Sequence, residues 1–346
     1  MKRILLAGSI LTLGLATPAL AVDNSSTLKQ TGQGHQIQLD QTGNATNVST
    51  IEQSNASGEG VNTAGPGNKV SVTQGGTAGA NTNTSNVLQI GNEHQIKVEQ
   101  GGDKNKNKAD TRQHSYNKNT ADIKQLGTNN ENTAVTFQYG LREKAEIKQD
   151  GTNNKNKSTL TQSGRDNIAK VYQTGTNNSN ESLVDLEAGA ANTLIVNQRG
   201  TGNTNFSSAK TFGNNNQINV TQEGTNNQNS STVAAGNGAD NNVINVNQRG
   251  TSNKNTAEIL ASSDNNEITL LQDGTNNVNW AKLEAKGGGN NDITLTQNGT
   301  NNKNTATLIA DGTNNTLSLT QGGNGNTHTF SATTTGTNNT IAVAQH

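Results

Sequence analysis

Cysteine is absent from the 346 residues, so no disulfide framework stiffens the chain and no thiolate metal site can form. Only two prolines occur, Pro18 and Pro66, and aromatic residues make up 2%. Hydrophobic residues reach just 28%, too little for a conventional large core. On that count alone the chain reads as disordered, because ordering costs about 1 to 2 kcal/mol per residue. A charge excess is missing as well. The formal net charge of −1 removes the self-repulsion that holds disordered chains open. It also leaves no basic footprint for nucleic acid and no polybasic membrane patch.

What is present begins with a leader. Lys2 and Arg3 precede an apolar run over residues 4–15, followed by Pro18 and Ala19-Leu20-Ala21. This pattern reads as a secretory signal peptide over residues 1–21, cleaved after Ala21. No later segment approaches the roughly 20 apolar residues of a spanning helix, so no membrane insertion of the mature chain is expected.

Glutamine then sets a ruler. Gln149 to Gln173 spans 24 residues, as do Gln198 to Gln222, Gln248 to Gln272, Gln297 to Gln321 and Gln321 to Gln345. Backwards through Gln125, Gln100, Gln74 and Gln41 the steps are 24, 25, 26 and 33, the last holding a Gly-rich insertion around Ser57 to Asn68. Roughly a dozen such units fill the chain, the signature of stacked repeats. Gln138, Gln149, Gln162 and Gln173 are separated by 11, 13 and 11 residues, so each unit has two arms.

The arms alternate. Ile293, Leu295 and Gln297 face one way, Thr294 and Thr296 the other, and Ile218, Val220, Gln222 repeat the pattern. Period two is strand chemistry. Between arms stand turn glycines at Gly127, Gly151, Gly164, Gly175, Gly224, Gly274, Gly299, Gly312 and Gly336, mostly as Gly-Thr-Asn-Asn. Gly and Asn accept positive φ, as such turns require. From Gln297 the inward phase continues through Asn302, Asn304, Ala306, Leu308, Ala310, Gly312, Asn315, Leu317 and Leu319 to Gln321. The expected fold class is all-β: a solenoid of strand-turn-strand units about 4.8 Å apart, a dozen rungs making a rod about 55 to 60 Å long.

A buried amide without partners costs roughly 1 to 3 kcal/mol. In a stack, each amide donates to one neighbour and accepts from the other, but only in register. The residues expected to set register are Gln125, Gln138, Gln149, Gln162, Gln173, Gln198, Gln222, Gln248, Gln272, Gln297, Gln321 and Gln345, with Asn154, Asn167, Asn178 and Asn302. One arm is two residues longer, as in Gln149, Gly151, Asn154, Asn156, Ser158 and Gln162, so the two turns of a unit are expected to differ. In the C-terminal half that arm loses its glutamine, with Thr211, Ala310 and Thr334 in its place.

Catalytic constellations do not emerge. The five histidines, His35, His94, His114, His328 and His346, are scattered. His35 and His94 hold equivalent turn positions, but two rungs put them about 10 Å apart, too far to share one ion. Gly287-Gly288-Gly289 lacks the lysine of a phosphate loop. No cofactor or metal is expected. Charged residues fall mostly on outward positions, as Glu146 and Lys148 do, where they slow premature strand pairing or form a solvated face.

Gln162, Gly164, Asn167, Ala169 and Gln173 fill the pattern Gln-x-Gly-x-x-Asn-x-Ala-x-x-x-Gln, and Gln138, Gly140, Ala145 and Gln149 fill it with Glu143 in place of Asn. Thr211, Gly213, Asn216 and Gln222 follow with Thr for the first Gln and Ile218 for Ala. This resembles the curlin family, over most of residues 28–346. The resemblance implies a secreted, non-enzymatic fibre subunit at the cell surface, forming a curli-like functional amyloid or pilus in a biofilm matrix and serving adhesion and aggregation. Its implied partners are further copies of itself, a nucleator subunit and a secretion channel. Curli subunits carry a secretion-targeting sector, whereas only residues 22–27 precede the repeat-like segment here. The competing expectation is a monomeric β-solenoid that binds ice or glycans through a flat Thr/Asn face.

Overall fold

The computed structural model describes residues 5–6, 9–15, 24–32, 34–42, 45–54, 67–76, 81–114 and 118–346. The cleavage position after Ala21, both prolines and nearly all of the Gly-rich insertion lie outside the described residues. Among residues 1–21, Ser9–Leu15 forms a strand running parallel to Gln36–Gln41.

The described residues hold strands and turns and no helix. The chain is an all-β solenoid of about a dozen turns, arranged as two compact units, Met1–Asn167 and Ile168–His346.

Each unit has two parallel ladders. In the N-terminal unit the short ladder stacks Thr120–Gln125 on Lys144–Gln149, with Ala121 opposite Ala145, Ile123 opposite Ile147 and Gln125 opposite Gln149. The long ladder stacks Glu131–Gln138 on Lys155–Arg165, bringing Asn132 to Asn156 and Gln138 to Gln162. In the C-terminal unit, Asp292–Gln297 pairs with Thr316–Gln321, and Val278–Lys286 with Lys303–Thr313. Like residues therefore meet like residues, because one repeat of sequence spans one full turn.

Alternation explains the core. Ile293, Leu295, Leu317 and Leu319 are fully buried from the short ladder, and Ala306, Leu308 and Ala310 face them from the long one. The core is thin and aliphatic, each buried Leu, Ile or Val contributing roughly 1.5 to 3 kcal/mol. Stacking lets so apolar-poor a sequence bury what it has, since each rung is covered on both faces.

Around Gln162 the two turns are alike. In both, the column glutamine is followed by a glycine two residues later and a left-handed residue after that: Gly151 at +121° with Asn153 at +54°, and Gly164 at +121° with Asp166 at +60°. Elsewhere the turns differ, as expected: Gly127 stands at +108° whereas Gly140 has no positive φ, and left-handed Ala188 and Ala191 flank Gly189, which has none either. The two extra residues lie in the strand and lengthen it by one pleat, so the long arm points Asn156, Ser158, Leu160 and Gln162 inward where the short one points Ala169, Val171 and Gln173. A strand absorbs two residues without changing which face is buried.

Candidate functional site

Files of amides running through the core are the chemically distinctive feature. In the short ladder of the N-terminal unit, Gln41 Nε2 donates to Gln74 Oε1 at 2.9 Å, Gln74 to Gln100, Gln100 to Gln125 and Gln125 to Gln149, the last three at 2.8 Å. In the C-terminal unit the file runs through Gln173, Gln198, Gln222, Gln248, Gln272, Gln297, Gln321 and Gln345 at 2.8 to 2.9 Å. Every donor lies in the earlier rung.

The second N–H of these amides crosses the core. Gln125 Nε2 donates to Lys108 O and Gln149 Nε2 to Thr133 O, both at 2.9 Å, while Gln297 Nε2 reaches Trp280 O at 3.0 Å. The acceptors belong to the long ladder, so each glutamine ties rung to rung and sheet to sheet at once. Sequence periodicity shows which way a side chain points but not which of its N–H groups spans the core.

A second glutamine file occupies the long ladder of the N-terminal unit, with Gln113 donating to Gln138 at 2.6 Å and Gln138 to Gln162 at 2.9 Å. In the C-terminal unit the same register positions hold Leu186, Thr211, Ala235, Ala261, Ala285, Ala310 and Thr334. Thr211 and Thr334 bury hydroxyls with no hydrogen-bond partner.

The extra pleat of the long arm carries an asparagine file not singled out from the sequence. Asn107 donates to Asn83, Asn132 to Asn107 and Asn156 to Asn132, each at 2.9 Å. In the C-terminal unit Asn205, Asn229, Asn255, Asn279 and Asn304 each donate to the preceding rung at 2.8 to 3.0 Å. These amides point opposite to the glutamines. The file stops where His328 replaces asparagine opposite Asn304. There Asn304 Oδ1 has no partner and the His328 ring bonds Gly322 O at 2.8 Å. Repetition of Asn two residues beyond the turn Asn was the available signal.

Asn154, Asn178 and Asn302 sit at the turns. Asn154 N donates to Asn130 Oδ1 at 2.8 Å, and Asn302 N to Asn277 Oδ1 at 2.9 Å. The side-chain nitrogens of Asn178 and Asn302 donate to Gly200 O and Gly323 O, both at 2.8 Å. Asn167 lies in the other turn, where its Nδ2 donates to Ser163 O at 3.2 Å.

The nine turn glycines all have positive φ, from +98° at Gly336 to +127° at Gly224. Gly224 is also sterically confined: a Cβ there would lie 2.0 Å from Gly250 O. Gly224→Ala should lower stability by about 1 to 3 kcal/mol through backbone strain, before the clash is added. Gly325→Ala, at +68° with nothing within 4 Å, should cost clearly less. Urea midpoints of the two variants test this; equal shifts would show that close rung approach does not govern the turns.

Outward charges also pair from rung to rung. Lys124 meets Glu99 at 3.3 Å, Arg142 meets Asp166 at 2.6 Å, Arg249 meets Asp273 at 3.3 Å, and Arg199 bonds Glu223. Exposed pairs of this kind contribute about 0 to 1 kcal/mol each. An outward threonine file, Thr225, Thr251, Thr275 and Thr300, runs alongside in the C-terminal unit. Among the described residues no cluster of three or more His, Asp or Glu could hold a metal.

A search of curated proteins finds no match. The family model of the curlin associated repeat matches residues 142–175 and 288–323. The first stretch begins within the turn that holds Glu143 and carries Gln149, Gly151, Asn154, Gln162, Asn167 and Gln173, and the second carries Gln297, Gly299, Asn302 and Gln321. Those are residues that form the amide files and their turns, so the chain carries curlin associated repeats over these two stretches.

Proposed function

We propose that this chain is a secreted structural subunit that stacks into an extracellular curli-like amyloid fibre of a biofilm matrix, serving adhesion and aggregation. The carrying observation is the in-register glutamine file, in which each rung offers the next an amide, a backbone edge and an aliphatic stripe matching its own. A stack built this way has no intrinsic length limit, and a second copy extends it by the same bonds. In the last rung Ile341 and Val343 remain half-buried, whereas Leu317 and Leu319 one rung earlier are fully buried. The column glutamines and the turn asparagines would set register and the glycines would form the turns. Residues 1–21 would direct export, residues 22–27 form a short N-terminal segment, and 28–346 form the fibre-building repeat domain. A nucleator subunit and an outer-membrane channel would be the partners, and no catalysis or cofactor is required.

The purified processed chain, desalted and left at tens of micromolar for a day, should form fibres visible by electron microscopy that bind amyloid dyes, with seeds shortening the lag. A monomer that persists for days in sedimentation would overturn the fibre reading. That outcome would favour a monomeric solenoid that binds ice or glycans. The threonine file gives that alternative its support, although it is one residue wide and flanked by Arg249 and Asp273.

A further inference from the structure

The turn that leads from the long ladder into the short one differs between the two units. In the C-terminal unit its inward position is asparagine at Asn216, Asn242, Asn266 and Asn291, each backbone N–H donating to the preceding amide oxygen at 2.8 to 3.0 Å. In the N-terminal unit the same file reads His35, Asn68, His94, Asn119, Glu143, Asn167, so a titratable side chain stands at every second rung.

The histidines imitate asparagine. His35 bonds Thr31 O through Nε2 at 3.0 Å, and its Nδ1 accepts the Asn68 N–H at 3.1 Å. His94 does the same with Ile90 O at 3.1 Å and the Asn119 N–H at 3.2 Å. Both rings are fully buried. The bond to a backbone N–H requires a lone pair on Nδ1, and an imidazolium has none.

Glu143 imitates asparagine only when protonated. It is fully buried, its N–H donates to Asn119 Oδ1 at 3.0 Å, and its Oε1 accepts from Asn167 Nδ2 at 3.3 Å. Oε2 has no partner. Equivalent asparagines use their amide nitrogen as a donor, and only a carboxylic acid O–H supplies a donor at that end.

We propose that this file is a pH-sensitive latch on the N-terminal unit, closed only while Glu143 carries a proton and His35 and His94 do not. The charged neighbours do not satisfy Glu143. Arg142 and Lys144 flank it, Lys118 comes from the preceding rung, Arg165 and Asp166 from the following one, and Glu93 from the rung beside Lys118. Lys118 is held by Glu93 at 3.4 Å and Arg142 by Asp166 at 2.6 Å, both outside. Beside the histidines the charged turn residues are Lys69, next to Asn68, and Glu93 and Lys118, all outward.

Burial pushes the Glu143 carboxyl up to about 8, against the hydrogen bonds from Asn167 and with help from the Asp166 charge. An unfolded glutamate titrates near ~4.3. Between those values the folded chain holds a proton that the unfolded chain releases. Stability from this group is therefore complete below the lower value and is lost progressively as pH rises to the upper one.

Hydrogen exchange of the full processed chain, read by mass spectrometry and corrected for intrinsic rates, tests the latch in monomer or fibre alike. Opening of the turn around Glu143 should rise roughly tenfold per pH unit from 6 toward 8 and then level off. Glu143→Gln should abolish that rise. The turns at Asn216, Asn242 and Asn266 should stay flat throughout. On acidification, as Nδ1 loses its lone pair, the turns at Asn68 and Asn119 should loosen in the wild type but not in a His35→Asn, His94→Asn double variant. A Glu143→Gln profile that follows the wild type, or C-terminal turns that open with the same slope, would overturn the proposal. Should the variant fail to fold, pH-difference infrared spectroscopy of the wild type decides: a protonated-carboxyl band that persists at pH 7 and bleaches near 8 is expected, and its absence refutes the latch.

Discussion

Gln272→Ala should destabilise the C-terminal unit by about 3 to 5 kcal/mol. Gln272 is fully buried, donates to Gln297 Oε1 at 2.8 Å and Thr256 O at 3.1 Å, and accepts from Gln248 Nε2 at 2.8 Å. Truncation orphans all three groups inside the core and opens a cavity between them. Each buried partner left unsatisfied costs roughly 1 to 3 kcal/mol, comparable to the burial of a whole aliphatic side chain. The comparison is Thr211→Ala in the opposite ladder, whose buried hydroxyl bonds nothing; it should change stability by no more than about 1 kcal/mol. Urea unfolding reads the difference, and seeded elongation should show the same ranking. Similar shifts for both variants would mean that the aliphatic stripe and turns alone hold the register.

Asn255→Asp should cost several kcal/mol at neutral pH and recover on acidification. Asn255 donates to Asn229 Oδ1 and accepts from Asn279 Nδ2, each at 2.9 Å, in a fully buried file. A carboxylate keeps the acceptor but sets a buried negative charge against the oxygen of Asn229, a loss of about 3 to 5 kcal/mol. Protonation returns the donor. Burial raises the folded pKa of the new aspartate above the ordinary value of about 3.9, so the penalty grows as pH rises through that window and is absent below it. Asn226→Asp, at an exposed left-handed turn position with φ of +53°, should be nearly neutral at all pH values. The difference in thermal midpoint between pH 3.5 and pH 7 separates the two variants.

The fold was legible because its two governing periods are written in the chain. Period two in Ile293, Leu295 and Gln297 sets the buried face, and the 24-residue step from Gln297 to Gln321 sets the rung. Both survive stacking because a parallel in-register ladder adds no new rule. The extra two residues of the long arm were misplaced. Gln149-x-Gly151-x-x-Asn154 and Gln162-x-Gly164-x-x-Asn167 already had equal spacing, so the added length had to lie in the strand. The asparagine file through Asn156 was missed as a site for the same reason, since it sits in that added pleat. Direction was not legible at all. A glutamine has a donor and an acceptor at one end, and which of them points forward depends on the carbonyl across the core. His35 and His94 were seen as equivalent, yet their stand-in for asparagine depends on ring-nitrogen geometry that spacing does not carry.

The opposed donation of the two amide files governs how the stack behaves as it lengthens. In an α-helix, peptide dipoles align head to tail and leave about half an elementary charge at each end. Between the turns of the C-terminal unit, each rung adds to these files one glutamine amide aimed forward and one asparagine amide aimed back, as Gln272 and Asn279 do. Their polarisations largely cancel. A pile of such rungs accumulates little axial field from these two files, so the hundredth rung would meet nearly the same field from them as the tenth.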